Sequence, residues 1–363
     1  MKKLLVFVIA VCIGLVLNSS GFAQEKSGVI ELRYSIQFPS THLQAIASQY
    51  FADQINKRTN GRVKIRIYPV GTLSSPDKIY QSIVTGIADM GYSTPTYTST
   101  RFPASGALHV PLKPLTGWVT THVFQDFYEK YKPKEYNDVH MLFMHACSPY
   151  HLASAKVPIR TIEDLKGMRV RASGMEAAAF VKALGGAPQS MSMAEVYEAA
   201  SKGVVDVLLV PWETQKGWKH ADVTKYYTVI PVTLSTGDFV AMNKKKWDSL
   251  PKDIQKIFTE VSKEGVEWHA KAWWYADIVG EDYFRKLGGG REVIEIPKGE
   301  VEKWEKIVKP LTEAYITEKT AMGLPAAEYV KFAQERTEYW NKHHPTKESV
   351  MEWVEKELLK GGK

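Results

Sequence analysis

Two stretches of the chain carry the same pattern of apolar and polar positions. In the first, "IELRYSIQF" reads as a strand, and His42 to Arg58 has the apolar stripe of an amphipathic helix, stopped by Thr59-Asn60-Gly61. "RVKIRIYP" alternates again, with Val63, Ile65 and Ile67 on one face. Ser75-Pro76-Asp77 opens a second helix, Gly86 closes it, and "IADMGYS" returns as a strand, so the order is β-α-β-α-β. In the second stretch, Glu163 to Lys166 reads as a short helix with Gly167 at its C′ position, and Met168 to Ala172 alternates as a strand. Ser173 and Gly174 start the helix "MEAAAFVKAL". Ser192-Met193-Ala194-Glu195 is a capping box, and Gly203 ends the helix that it opens. Val204 to Val210, apolar except for Asp206, reads as a strand covered on both faces and stopped by Pro211.

The two stretches also match residue by residue. "IYQSIVTGIAD" (Ile79 to Asp89) and "VYEAASKGVVD" (Val196 to Asp206) place tyrosine, glycine and aspartate at the same spacing, at a constant offset of 117 residues (196 less 79, 206 less 89). Two similar α/β lobes facing each other across a cleft are expected, with a ligand between them. Ser99 to Tyr136 supplies covering helices and loops of the first lobe, and "HMLFMHACSPYHLASA" crosses as strand, turn and strand into the second. "YTVIPVTL" and "GDFVAMNKKKW", flanking Ser235-Thr236-Gly237, cross back. From Ser249 to Gly288 runs one long helical tract with an N-terminal proline and a glycine stop, expected to span both lobes; Glu300 to Met322 is another helix. The predicted fold is α/β and two-lobed, each lobe a β-sheet flanked by helices. Lobe I takes 30–147 plus about 237–276, lobe II takes 148–236 plus about 277–324, and 325–363 forms a charged helical tail, a brace or a partner surface.

The first residues change the picture of where this happens. Lys2 and Lys3, the apolar run Leu4 to Leu17 and the small-residue site Gly21-Phe22-Ala23 form a secretory signal over residues 1–23, too short and too soon polar to span a membrane. Of two cysteines only Cys147 survives cleavage, which excludes an intramolecular disulfide. With 363 residues and 44% hydrophobic content the chain can bury two substantial cores. Its formal charge of +7 falls to +5 without Lys2 and Lys3 (7 less 2), a surplus compatible with an anionic ligand. No basic run interleaved with aromatics marks a nucleic-acid track.

The candidate chemistry lies where the second stretch turns. Arg169 and Arg171 share one face, and Arg171 ends its strand, where open α/β sheets bind ligands; its planar fork suits a carboxylate, while Arg169 reads as a solvated surface residue. Trp212 and Glu213 emerge beyond Pro211 into the same crevice. Phe239 lies near the crossover, His151 on the strand entering the second lobe, and Gln37, Tyr92 and Thr94 at strand ends of the first lobe that face the cleft. His140, His145 and His151 match no zinc spacing, so neither metal nor cofactor is expected.

"RTNGRVKIRIYPVGTLSS", "IVTGIADMG", "TIEDLKGMRVRASG" and "MSMAEVYEAASKGVVD" together resemble the extracytoplasmic substrate-binding proteins of TRAP transporters, over nearly all of the mature chain. The resemblance implies a periplasmic protein that closes two lobes on an organic acid and delivers it to the membrane subunits of a TRAP permease. It assigns the carboxylate-binding arginine to Arg171. Where dicarboxylate and sialic-acid members carry a ligand-binding asparagine this chain has Val210; where sialic-acid members carry a second arginine and a phenylalanine it has His151 and Met193. Loss of these hydrogen-bonding groups argues for a hydrophobic or aromatic monocarboxylate, because buried polar groups of a sugar acid would go unpaired. Trp212, Met193, Val210 and Phe239 are then the expected apolar wall, with His151 and Glu213 reading a second polar group. A small 2-oxo or hydroxy acid, with cation assistance at Trp212 and Glu213, is the alternative ligand. A monomer is expected, with a dimer as the alternative. Two other classes are weighed: an exported hydrolase using Cys147 with His151 or His145, and a sensor presenting the same lobes to a membrane kinase. No Gly-x-Ser-x-Gly elbow, His-Glu-x-x-His or phosphate loop supports the enzyme.

Overall fold

The computed structural model describes residues 28–360; the predicted signal segment lies outside the described residues. The first lobe starts with β1 (Ile30–Ser35), α1 (Leu43–Arg58), β2 (Val63–Tyr68), α2 (Ile79–Thr85) and β3 (Met90–Ser93), followed by α3 (Gly117–Tyr131) and β4 (Val139–Ala146). The second holds β5 (His151–Ser154), β6 (Arg169–Ala172), α4 (Met175–Ala183), β7 (Ala187–Ser190), α5 (Met193–Ser201), β8 (Val207–Val210), α6 (Thr214–Gly217) and β9 (Tyr226–Val229). The chain returns through β10 (Gly237–Asn243) and α7 (Lys244–Ser249) into α8 (Lys252–Lys286), then β11 (Glu292–Glu295), α9 (Lys298–Ala321), α10 (Ala326–Lys342) and α11 (Lys347–Trp353).

These strands form two sheets, ordered β2-β1-β3-β10-β4 and β11-β9-β5-β8-β6-β7. In the first, β1 runs parallel to β2 and β3, and β10 enters antiparallel between β3 and β4. In the second, β6 runs parallel to β7 and β8, while β5 is antiparallel to both β8 and β9. The three-strand units β2-β1-β3 and β7-β6-β8 are the two copies of the repeat, so the sequence offset is also a structural one. Gly86 and Gly203 hold φ of 79° and 69°, the left-handed region that a side chain resists, and each turns a helix into the last strand of its unit.

The repeated aspartates explain why the motif carries them. Asp89 accepts the backbone N–H of Arg33 at 2.8 Å and its Nε at 2.9 Å; Asp206 accepts the same two groups of Arg169 at 3.0 and 2.9 Å. Each clamp ties the residue just ahead of one strand to the parallel neighbour: Asp89 ahead of β3 to Arg33 within β1, and Asp206 ahead of β8 to Arg169, the first residue of β6. Burial opposes ionisation of Asp89, but its bonds to Arg33 outweigh that, and at Asp206 the Arg169 hydrogen bond leads; both carboxyls sit below their usual range. Arg169, half exposed, belongs to this clamp and not to the cleft.

Four connections join the lobes: β4 into β5, β9 into β10, α8, and α9, which leads from β11 back to the first lobe, where Tyr315 donates to the Pro103 and Ala104 carbonyls. The 35 residues of α8 are about 52 Å long at 1.5 Å per residue. This helix packs on α1, α3 and β4 of the first lobe and on α6 of the second. The tail braces the first lobe: Arg336 Nε and Trp340 Nε1 of α10 donate to Asp126 of α3 at 2.6 and 2.7 Å, and Val350, Val354 and Leu358 bury against Ala47 and Ala272. Among the described residues no helix is long and apolar enough to cross a membrane.

Several elements are shorter than their patterns suggest. Val204 to Asp206 precede the ladder, and β8 begins only at Val207. "YTVIPVTL" is a strand only to Val229; Ile230 to Thr236 cross between lobes. "NKKKW" leaves β10 as α7, because the Asn243 side chain accepts the Lys246 N–H and starts a helix. Strands β7 and β11 carry no alternating signal; "APQS" is half-buried at the end of its sheet.

Candidate functional site

Both repeat units point the C-terminal ends of their parallel strands at the other lobe. From the first lobe come Gln37 and Phe38 after β1, Thr94 and Tyr97 after β3, and Asp238 at the start of β10, which runs the opposite way and so begins where the others end. From the second come Arg171 on β6, Met193 at the start of α5, and Pro211 and Glu213 after β8. Cys147, Tyr150 and Thr236 on the crossings and Trp218 and Trp273 close the sides.

Arg171 is fully buried. Its Nη1 donates to the Leu209 carbonyl at 3.3 Å and its Nη2 to the Met191 carbonyl at 3.1 Å, while Nε has no partner among the described residues. No carboxylate among the described residues pairs with it. Tyr97 and Tyr150 stand close enough that the guanidinium partly offsets the rise in their pKa that burial causes. A buried guanidinium without a counter-charge is a strong attractor for an anion.

Beside it, a cavity of about 30 Å³ is enclosed by Phe38, Tyr97, Tyr150, Met193, Trp218 and Trp273, with Gln37, Thr94, Thr236, Asp238 and Glu213 as its polar members. That volume holds one or two water molecules, so the lobes are closed here. Contacts between lobes keep them so. His42 Nδ1 accepts the Gln44 backbone N–H at 3.1 Å, which leaves the proton on Nε2, and Nε2 donates to Glu213 at 2.8 Å. The pair is buried on both sides. The Met193 backbone N–H donates to the Tyr97 hydroxyl at 3.0 Å. A crevice of about 730 Å³ between the lobe edges, lined by Tyr97, Ser173, Met191 and Glu195 among others, opens to solvent.

The polar members are mostly paired with one another. Asp238 Oδ1 accepts Gln37 Nε2 at 3.1 Å and the Thr94 hydroxyl, and the Thr236 hydroxyl accepts from Tyr150 at 2.6 Å. Burial pushes the Asp238 carboxyl up to about 8, with Glu213 adding to the rise and the Thr94 and Gln37 bonds opposing it. The Glu213 backbone N–H donates to Asp277 at 2.9 Å, and burial lifts that carboxyl to about 8 as well.

The structure gathers Glu213, Met193, Gln37 and Thr94 around the cavity, with Arg171 behind it, where its charge reaches Tyr97 and Tyr150, and Tyr92 one layer behind the other wall, 4.9 Å edge-on from Phe38 with its hydroxyl 3.3 Å from His145 Nδ1. It does not bring four other expected residues there. Trp212 stacks on Tyr227 at 3.4 Å and meets Phe284, facing the outer layer of the second lobe, because the backbone turns Glu213 inward and its neighbour outward. Val210 lies in the same outer cluster, and Phe239 packs on Tyr80, Phe102 and Tyr136 behind the first sheet. Strand alternation is the reason: with Asp238 turned to the cleft, Phe239 must face away. His151 Nδ1 accepts the Ile230 N–H at 3.2 Å and so ties the crossing chain; burial lowers its pKa to about 4. Phe38, Tyr97, Tyr150, Thr236, Asp238, Trp218 and Trp273 were not picked out as cleft residues from sequence. Of these only Asp238 carries a signal, as the lone acid in an apolar run.

Cys147 lies in the cleft, yet burial drives its thiol pKa well up, and its Sγ accepts the Thr236 N–H at 3.3 Å. His145 is bonded by Trp273 Nε1 at 3.1 Å. A thiol held protonated, with no histidine bonded to it among the described residues, has no activated nucleophile. Among the described residues no cluster of three acidic, histidine or cysteine side chains could hold a metal.

Comparison with known proteins gives a consistent picture. The model of the family described as bacterial extracellular solute-binding protein, family 7, matches residues 34–319. The 2,3-diketo-L-gulonate-binding periplasmic protein of Escherichia coli is 25% identical over 75% of this chain and 82% of its own length. A TRAP periplasmic solute-binding protein from Desulfovibrio salexigens superposes with a TM-score of 0.76 at 27% identity, covering 89% of this chain and all of that one. A TRAP solute-binding protein from Rhodoferax ferrireducens, solved with copurified benzoate, superposes with a TM-score of 0.82 at 20% identity, covering 87% and 100%.

Proposed function

The chain belongs to the bacterial extracellular solute-binding proteins of family 7, the TRAP-type proteins that bind small organic acids outside the cytoplasm and work with a membrane permease, and from that premise we propose that its ligand is a hydrophobic or aromatic monocarboxylate. Arg171 binds the carboxylate. The observation that carries this reading is a fully buried guanidinium that among the described residues bonds only two carbonyls and no acid, behind a cavity walled by aromatic side chains.

The pairing of the polar members supports one carboxylate over two and an apolar body over a sugar. Glu213 is engaged by His42, Gln37 and Thr94 by Asp238, and Thr236 by Tyr150, so a polyhydroxylated acid would bury hydroxyls against groups that are already satisfied. A second ligand carboxylate would meet Glu213 and Asp238 instead of a cation. The apolar wall is built from Phe38, Tyr97, Tyr150, Trp218 and Trp273 together with Met193, while Trp212, Val210 and Phe239 lie elsewhere. The copurified benzoate of the Rhodoferax ferrireducens protein points the same way, whereas the name of the Escherichia coli relative speaks for a sugar acid. An aromatic acid needs more room than the closed cavity gives, so binding proceeds by opening of the lobes and closure around the ligand. Delivery to a TRAP permease as a monomer completes the role.

A thermal-shift screen of residues 24–363 against organic acids tests the proposal, because a ligand bound only by the folded form must raise the melting temperature. Shifts confined to aromatic or branched monocarboxylates support it. Shifts only with dicarboxylates or sugar acids overturn it.

A further inference from the structure

We propose that Asp238 sets the specificity of the cleft, donating a hydrogen bond from a protonated carboxyl to an oxygen carried on the ring of an aromatic acid, at the end opposite the carboxylate held by Arg171. This rests on the ligand class given above and narrows it to ring-oxygenated aromatic monocarboxylates.

The placement comes first. Arg171 is on β6 of the second lobe, behind the cavity's Tyr97 and Tyr150, and Asp238 is on β10 of the first, so the two groups face the space between the lobes from opposite sides. Asp238 is 3% exposed and lines the cavity. Its close contacts are one-sided: Gln37 Nε2 donates to Oδ1 at 3.1 Å, the Thr94 hydroxyl, itself 2.9 Å from Gln37 Oε1, lies against the same oxygen, and Tyr92 is a weaker hydrogen-bonding neighbour of the carboxyl. Oδ1 thus accepts the Gln37 N–H, the role of the carbonyl oxygen of an acid, and the cavity side of the carboxyl is left to carry the proton.

The groups facing Asp238 agree. They are Glu213 from the second lobe, Tyr92 on β3, Tyr97 in the turn after it, and His145 and Cys147 at the end of β4. None is a cation: His145 is held neutral by burial, the tyrosines and the thiol stay protonated, and Glu213 is an acid. A buried carboxyl among such neighbours keeps its proton, and burial accordingly lifts it to about 8. A buried O–H aimed at the ligand is an asset with an oxygen acceptor in reach and a penalty against a bare ring.

The experiment is calorimetry on residues 24–363 with benzoate, 3-formylbenzoate and 4-formylbenzoate, whose formyl oxygen accepts and does not titrate. One formyl isomer should bind wild type at least about tenfold tighter than benzoate, the effect of one buried hydrogen bond. Asp238→Asn keeps an acceptor for Gln37 and Thr94 and presents an N–H where the acid presented its O–H, so it should retain that preference. Asp238→Leu should bind the formyl acid and benzoate within roughly twofold of each other. Raising the pH from about 7 to about 9 should erode the preference in wild type and leave it intact in Asp238→Asn. A wild type that binds benzoate with no preference, a preference surviving Asp238→Leu, or one lost in Asp238→Asn would each overturn the proposal. Failure of all three acids to bind wild type, or binding that survives Arg171→Met, would instead overturn the ligand class and this inference with it.

Discussion

Arg171→Met separates what the arginine does for the ligand from what it does for the fold. Methionine keeps an unbranched stem of similar reach and removes the charge. In the ligand complex, truncating one partner of a buried, hydrogen-bonded charge pair costs about 2–5 kcal/mol, and at about 1.4 kcal/mol per tenfold the dissociation constant rises roughly 30-fold to several thousand-fold. Without ligand the sign differs. The guanidinium has only two carbonyl bonds, at 3.1 and 3.3 Å, and no acid to offset its desolvation, so its removal is neutral or stabilising by up to about 4 kcal/mol, less what Leu209 and Met191 lose as acceptors. Calorimetry with the strongest acid from the screen and thermal melts of both proteins without ligand read the two effects. The variant should lose binding while its ligand-free melting temperature stays level or rises. A dissociation constant within about threefold of wild type would refute the assignment of Arg171, and a ligand-free melting temperature lower by more than about 5 °C would show that the arginine serves the fold.

Three further outcomes follow from contacts around the cleft. Glu213→Ala removes the acceptor of the His42 Nε2 proton across the lobes; affinity should fall about tenfold or more and small-angle scattering should report a more open ligand-free form, whereas an unchanged scattering profile would remove the latch. Gly280→Ala would put a Cβ 2.2 Å from the Trp212 carbonyl oxygen, a backbone atom that cannot swing aside, so chemical denaturation should show a loss of about 1–3 kcal/mol. Asp277→Asn concerns pH: its carboxyl, at about 8 folded against 3.8 in the free side chain, contributes stability present below about 4 and lost as pH rises towards 8. The variant should therefore be more stable than wild type at pH 8, by about 1 kcal/mol or more in chemical denaturation, and match it near pH 4; equal stabilities at both would sink the reasoning.

How far the sequence could lead depended on whether polar residues marked the parity of each strand. The repeat was legible because Gly86, Asp89, Gly203 and Asp206 do fixed jobs, a left-handed turn and an inter-strand clamp, that leave the same letters at the same spacing. Arg171 was legible because a charge at the end of an otherwise apolar strand has few other uses. The wall of the cleft was not. Val207 to Val210 is apolar on both faces, so nothing told which side Val210 or the turn to Trp212 would take, and the outward stack of Trp212 on Tyr227 depends on β9, far along the chain. Phe239 could have been placed correctly, since Asp238 beside it fixes the alternation. Trp273 looked like packing, and it is packed; that its edge also closes the cleft follows from how α8 lies across both lobes.

The twin aspartates stand just ahead of β3 and β8, and the ligand chemistry lies at the far ends of those strands. In each lobe, what registers the sheet and what meets the solute are separated by the length of a strand and share no side chain. Exchange of cleft residues therefore leaves the devices that assemble the lobes untouched, and a lineage or an engineer can retune the acid recognised without relearning how to fold. The same separation makes the scaffold suited to a family of optical sensors in which one frame carries many interchangeable clefts.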